Sequence, residues 1–274
     1  MPTLTQPRDA HDVEPLPGLV PWIGGKRNLA RRLAARIDAI PHTCYAEPFV
    51  GMGGVFFRRR KPSRVEAIND CSRDVATLFR MLQRHPDALF GECATMVASA
   101  AEFERQARLD PDLLTDVERA ARLIYLQSAG WGGKVIGRTF GRDCRSRIGF
   151  YWPRLQGRLQ NVRHRLQGVY IDCLTWEKFI AQWDGSDTLF YLDPPYQGAE
   201  AHYGKGLFAR DDFIRLADIL SAISGHFILS VSDTPLMRAT FSRFAIEPID
   251  TIWHIGTASG LSGRRSELVV TDGR

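Results

Sequence analysis

Short apolar runs ending at acids, prolines or glycines alternate with stretches of helical apolar spacing. This alternation constrains the fold more than any other feature of the chain. Leu29, Leu33, Ala34 and Ile37 recur at helical spacing across residues 26–40, and Pro41 stops the pattern. Residues 43–46 read as a short strand closed by Glu47-Pro48 and a glycine loop. Residues 55–60 begin another helix, 65–68 form a second strand ending at Asn69-Asp70, and Val75, Leu78, Phe79 and Leu82 mark a further helix face. Such a rhythm favours a parallel sheet with helices on its faces. It lapses from about 86 to 166, where helices are expected over 87–107, 112–127 and 152–166 around a glycine-rich basic segment, 130–149. It resumes with strands at 169–172, 189–192 and 226–231, helices at 176–181 and 211–223, and a closing pair of strands, 246–255 and 267–271. The expected architecture is an α/β domain interrupted by a basic helical insertion.

The strand at 188–192 delivers Asp193-Pro194-Pro195-Tyr196. An acid, a backbone fixed by two prolines and an aromatic face are what is needed to hold a planar, amino-bearing base. The carboxylate accepts one N–H of the amine. Pro195 restricts Pro194 to extended geometry, so the Pro194 carbonyl is free to accept the other. Tyr196 offers a stacking surface, worth roughly 1–3 kcal/mol per base in other nucleic-acid sites. A strand end followed by a simple Pro-Pro turn is the plainer alternative for this tetrapeptide alone.

Charge distribution supports a nucleic-acid partner. Lys134, Arg138, Arg142, Arg145, Arg147, Arg154, Arg158, Arg163 and Arg165 face a single acid, Asp143, with Phe140, Phe150, Tyr151 and Trp152 interleaved. Arginines among aromatics suit phosphate and base contacts; a soluble arginine-rich helix is the alternative. No apolar stretch of the 274 residues is long enough to span a bilayer. Residues 1–20 are polar, carry prolines and are expected to form a loose arm. Five widely spaced cysteines without metal-like pairing suggest reduced thiols and a cytoplasmic protein. No metal is expected.

Two glycine segments precede helices. Pro21-Trp22-Ile23-Gly24-Gly25-Lys26 combines a flat ring, close backbone approach and a cation. Glu47-Pro48-Phe49-Val50-Gly51-Met52-Gly53-Gly54 lacks the spacing of a dinucleotide fingerprint, so a pyrophosphate is not the obvious guest. Asp70 ends the second strand, where an acid takes ribose hydroxyls in doubly wound folds; a helix N-cap is its alternative role.

In order, W-x-G-G-K, E-P-F-V-G-x-G, I-N-D and D-P-P-Y, with a large insertion before the last, resemble the Dam-like DNA adenine-N6 methyltransferases. The resemblance runs from about Pro21 to Asp272 and is weakest over 86–166. It implies S-adenosylmethionine as cofactor, double-stranded DNA as substrate, and a Rossmann-like mixed sheet ending in an antiparallel hairpin. On this likeness 21–85 and 167–274 form the catalytic domain and 86–166 the target-recognition insertion, in a protein expected to act as a monomer. Trp22, Gly25 and Lys26 fall in the N-terminal cofactor motif, with Lys26 expected near the methionine carboxylate. Gly51 and Gly53 match the loop around the methionine moiety, Glu47 and Phe49 of the same segment are expected on the cofactor, Asp70 is the ribose acid, and Asp193 borders both cofactor and target. Asp193, Pro194, Pro195 and Tyr196 match the catalytic loop. Trp131, in a segment whose usual Arg and Asn are Ser128 and Gly132 here, is placed to fill the gap left by a flipped base. Lys134, Arg138, Arg142, Arg145 and Arg147 are expected on DNA, as are Arg264 and Arg265 of the terminal hairpin. Ser230-Val231-Ser232-Asp233 resembles the loop beside the target base. The family's Asp-aromatic pair at the cofactor adenine is replaced by Thr175-Trp176, with Asp172 as a substitute. Pro21 stands where the GATC-reading member carries Lys, so the target sequence is not carried over.

Three other readings share parts of this pattern. A cytosine-N4 methyltransferase usually has Ser where Asp193 stands. An RNA guanine-N2 methyltransferase typically lacks the W-x-G-G-K start and the insertion. A nucleic-acid binder with a dead catalytic fold would have no need of Asp70 and Asp193.

Overall fold

The computed structural model describes residues 12–22, 26, 29–142, 148–196, 208–253 and 263–273; over 251–253 and 263–265 it describes backbone alone. Seven strands form one sheet: β1 (Cys44–Glu47), β2 (Val65–Asn69), β3 (Tyr170–Asp172), β4 (Thr188–Leu192), β5 (His226–Ser232), β6 (Ala245–Trp253) and β7 (Gly263–Thr271). Their spatial order is β3-β2-β1-β4-β5-β7-β6. The first five strands of that order are parallel, and β7 runs antiparallel between β5 and β6. Strand order reverses between β1 and β4. In open α/β sheets, ligands settle at such a reversal, beyond the carboxyl ends of the strands.

Nine helices accompany the sheet among the described residues: α1 (Ala30–Ala39), α2 (Arg73–Arg84), α3 (Pro86–Thr95), α4 (Ala100–Arg108), α5 (Asp116–Ala129), α6 (Trp152–Arg165), α7 (Trp176–Trp183), α8 (Asp212–Ala222) and α9 (Pro235–Thr240). Side chains alternate across a strand, and here the alternation divides two cores. Tyr45, Ile68, Leu189, Tyr191, Ile228 and Val269 join the apolar faces of α1, α2, α5 and α6. Ala46, Ala67, Phe190, Leu192, Phe227 and Leu229 join those of α7 and α8. Because every residue of β4 is buried, that strand reads as a continuous apolar run, as expected of a parallel strand covered on both faces.

Several local expectations are corrected. Residues 55–60 form only a short 3-10 turn, Phe56–Arg58, because Arg59 is extended and its buried guanidinium turns to Glu66. The helix expected over 87–107 splits into α3 and α4, since Ser99 caps α4 by accepting from the Glu102 amide. α9 was not anticipated; Thr234 caps it and Pro235 opens it. Residues 12–20 are not a loose arm: Leu19 is wholly buried, and the amides of Val13, Leu16 and Leu19 donate to the carbonyls of Arg60, Phe57 and Met52. Helices α3 to α6 contribute Leu89, Phe103, Leu123, Leu155 and Leu159 to the same apolar cluster as α1 and β1.

Candidate active site

Asp193 leaves β4 beside the strand-order reversal. Strand parity puts Glu47, Tyr191, Ser230 and Glu267 on one face of the sheet, and their side chains meet beneath it. The Lys26 ammonium is buried among them, 3.0 Å from Asp193 Oδ1 and 2.9 Å from Glu267 Oε2, and it donates to the Tyr196 hydroxyl. It also lies 4.3 Å from the centre of the Tyr196 ring. These three partners match its three N–H donors. Tyr196 Oη in turn donates to Glu267 Oε1 over 3.4 Å. Ser230 Oγ lies 3.4 Å from Asp193 Oδ1 and 2.9 Å from the Tyr191 hydroxyl. Burial pushes the Asp193 carboxyl up to about 6, with Lys26 opposing the rise and Glu267 adding to it. Lys26 is held above its ordinary range by Asp193 and Glu267 against the pull of burial, which acts the other way. The Asp193 side chain keeps about 19% exposure, so it is not sealed from solvent.

The ammonium therefore points into the acid cluster, where the family likeness places it near a methionine carboxylate. Its backbone still neighbours the glycine loop: a Cβ on Gly54 would lie 4.0 Å from the Lys26 nitrogen.

The loop itself uses its glycines in two ways. Gly51 has φ +49°, and a Cβ there would approach Trp22 Nε1 to 3.0 Å. Gly53 has φ +69°, and a Cβ there would collide with the Phe57 ring, so packing rather than a ligand requires glycine at 53. Asp70 accepts from the amides of Gly51 (3.0 Å) and Ser72 (2.9 Å), and burial lifts its carboxyl to about 6. The N-cap of α2 is Ser72, so Asp70 instead ties the β2 end to the glycine loop. Glu47 accepts from the Tyr45 hydroxyl at 2.7 Å, and burial raises its carboxyl to about 8. Phe49 turns to the other sheet face, edge-on to Phe208 and beside Trp176. Trp176 is itself buried, and Asp172 accepts from the Trp183 indole. Gly25 lies outside the described residues.

Asn69, quoted only as part of a motif, proves to be a hub. Its amide donates to the carbonyls of Pro48 and Leu174 and accepts from the Leu174 amide, joining the carboxyl ends of three strands. Glu267 belongs to none of the motifs read above. An acid inside the apolar run Glu267-Leu268-Val269-Val270 was the signal that could have marked it. A further cleft, with Leu16, Arg31, Arg58 and Arg60 in its walls, shares no residue with this cluster.

The basic insertion divides by use. Trp131 is 43% exposed at a turn built on Gly132 and Gly133, both with positive φ. Lys134 and Arg142 are exposed. Arg138 is turned inward to Gln127 Oε1 (3.1 Å) and the Lys134 carbonyl, and burial lowers its guanidinium to about 10. Gln127 also donates to the carbonyls of Pro21 and Gly133, fastening this turn to the N-terminal motif. Arg158 donates to the Leu19 carbonyl and Arg165 pairs with Glu66, so both serve the fold. Arg145 and Arg147 lie outside the described residues. Arg264 and Arg265 stand in β7 opposite Ile252 and Thr251, described by backbone only. Among the described residues, no cluster of three or more His, Cys, Asp or Glu could hold a metal, and no helix is long and apolar enough to cross a membrane.

Residues 22–255 match the family described as D12 class N6 adenine-specific DNA methyltransferase. The DNA adenine methylase of retron Ec67 from Escherichia coli is 24% identical over 93% of this chain and 91% of its own length. The type II methyltransferase M1.LlaDCHI of Lactococcus lactis subsp. cremoris is 25% identical over 92% and 93%. The type II methyltransferase M.CviBI of Paramecium bursaria Chlorella virus NC1A is 20% identical over 82% and 86%.

Proposed function

Since the chain belongs to the D12 class of N6 adenine-specific DNA methyltransferases, we propose that the cluster around Asp193 is its methyl-transfer centre, with S-adenosylmethionine as donor and a flipped adenine of duplex DNA as acceptor. The observation that carries this reading is an acid at the C-terminal end of β4, beside the sheet's reversal, backed by a buried lysine and followed by two prolines and a tyrosine. When bound, S-adenosylmethionine supplies a methyl group on a cationic sulfur. The residues fit such a guest: a glycine turn against the Trp22 ring, Asp70 fixed at the β2 end, and Glu47 buried at the end of β1. Trp22, Gly51 and Asp70 are assigned to its binding, with Glu47 facing its amino end and Phe49 and Gly53 shaping the loop from behind.

The lone pair of adenine N6 is delocalised into the ring, so the amine is a poor nucleophile. Asp193 and the Pro194 carbonyl each accept one N–H, drawing the nitrogen toward tetrahedral geometry. As the N6–CH3 bond formed, the S–CH3 bond would break with its electron pair left on sulfur; positive charge would collect on N6 beside the carboxylate, and the excess proton would then pass from N6 to solvent water. Acceptors already in place lower the barrier without reorganising. Protonation would remove Asp193 as an acceptor, so transfer declines as pH falls through about 6.

The amine is out of reach inside a stacked duplex, so the base must leave the stack. We assign residues 86–166 to target recognition, with Trp131 filling the vacated space and Lys134, Arg142, Arg145, Arg147, Arg264 and Arg265 on phosphates. Trp131→Ala is expected to raise KM for duplex DNA by about 10-fold or more, the scale of one lost stacking contact. An abasic site opposite the target adenine should recover most of that loss, because the base is already unpaired. Equal defects on both duplexes would remove Trp131 from this role. Asp70→Ala is expected to weaken cofactor binding, measured by calorimetry; an unchanged Kd would leave Asp70 only its hold on the loop. The deciding experiment is transfer of labelled methyl from S-adenosylmethionine to adenine-bearing duplex, with cytosine-only duplex and RNA as controls. Label on either control in preference to adenine would overturn the assignment of the acceptor.

A further inference from the structure

Beyond the four residues of the catalytic loop, we infer that Glu267 is a positioning residue for methyl transfer: it shares the Lys26 ammonium with Asp193, so that Asp193 meets the substrate amine as part of a net negative cluster rather than as half of a neutral ion pair. This rests on the role proposed above for Asp193. Glu267 sits on β7 opposite Ser232 of β5 and Ile249 of β6, and it is 3% exposed. A buried acid on an interior strand is costly without a partner. Lys26 at 2.9 Å is that partner, and the same ammonium is 3.0 Å from Asp193.

The charge balance gives the pairing a purpose. Lys26 alone with Asp193 would keep the acid ionised but would cancel its charge. Among the described residues, adding Glu267 leaves one net negative charge on the Lys26, Asp193 and Glu267 side chains. Methyl transfer moves a positive charge from sulfur to N6, and a net negative centre stabilises that charge where a neutral pair would not. Among the described residues, the other groups facing Asp193 do not supply that charge. Ser230 on β5 and Tyr196 carry neutral hydroxyls, the Tyr191 phenol on β4 is held well above its ordinary range, and Glu47 on β1 is pushed up to about 8. Glu267 also accepts from Tyr196 Oη, so it steadies the ring proposed to stack on the base.

The test is the isosteric variant Glu267→Gln in the full chain, assayed for kcat, KM for duplex DNA and the pH profile of transfer. The charge on Glu267 raises the proton affinity of Asp193, so its removal should move the acidic limb of kcat to lower pH. kcat should fall about 10–100-fold, the range carried by a charge-assisted hydrogen bond, while KM for DNA stays within about 3-fold of wild type. Lys26→Met should move the limb the opposite way. Glu267→Asp, which retains the charge, should return the limb toward wild type. If Glu267→Gln does not fold, Glu267→Asn removes the same charge while leaving room for water at Lys26, and it is read on the same scale. A limb that stays in place or moves upward in the neutral variant overturns the inference. Inactive Asp193→Asn together with an unshifted Glu267→Gln would overturn this inference alone. Full activity in Asp193→Asn would instead overturn the role given to the catalytic loop.

Discussion

Asp193→Ala is expected to lower kcat by roughly 10²–10³-fold, the scale of losing one preorganised electrostatic group in an active site, while cofactor affinity stays within a few-fold of wild type. The contrast follows from where the acid is held. Its carboxylate is fixed by Lys26 and Ser230 at the end of β4, whereas Asp70 and the Gly51 turn are held together from β2. Truncating Asp193 therefore removes an acceptor from the amine without loosening the donor's side of the pocket. Single-turnover transfer at saturating cofactor, paired with calorimetry for cofactor binding, separates the two quantities. Turnover equal to wild type would remove Asp193 from the chemistry, and a large loss of cofactor affinity would move it to the binding site. The variant also leaves Lys26 with Glu267 as its remaining acidic partner of the two, so its fold should survive.

Glu66→Ala is expected to destabilise the protein by about 3–5 kcal/mol, the cost of breaking a buried ion pair by removing one side. Glu66 sits on β2 between two buried guanidiniums. Its Oε1 accepts from Arg59 at 2.8 Å and from Arg165 at 2.7 Å, and its Oε2 accepts from Arg165 at 2.6 Å. Arg59 lies 3.8 Å from the centre of the Tyr45 ring, and Arg165 lies 4.2 Å from that of Phe56. Without the acid, Arg165 stays enclosed without this partner, while Arg59 keeps Asp38 Oδ1 3.4 Å from its Nε. Against a typical total of about 5–15 kcal/mol, this is a large fraction, and urea unfolding should show it as a lower midpoint at similar slope. Arg165 ends α6, so the same variant should loosen α6 from the sheet, visible as faster amide exchange in 152–165. A loss below about 1 kcal/mol would show that the arginines find other partners.

Much of the architecture was legible because its signals are local. Strand and helix periods in 43–82 and 169–231 depend only on side-chain spacing, and β1 to β5 lie close to where that spacing put them. The misses are local competitions won by tertiary contacts. The turn at 56–58 is short because Arg59 is drawn to Glu66, seven residues further on. Residues 12–20 carry Val13, Leu16, Leu19 and Val20 among two acids and two prolines with no strand or helix period, and Leu16, Leu19 and Val20 find an apolar surface made by residues distant in sequence. The arginine stripe read as one DNA-binding face, but Arg138, Arg158 and Arg165 are spent on carbonyls, an amide and a buried acid.

By itself, the sequence determined that an α/β sheet would carry an acid-proline-proline-tyrosine loop at a strand end, because strand period and proline geometry are properties of neighbouring residues. Only the tertiary structure decided that Lys26 and Glu267, about 240 positions apart, close on that acid from opposite ends of the chain. The physical reason is that charge acts through space. An ammonium takes its partners from whatever the folded backbone brings within 3 Å, and that proximity is set by β7 inserting beside β5 rather than by any local pattern.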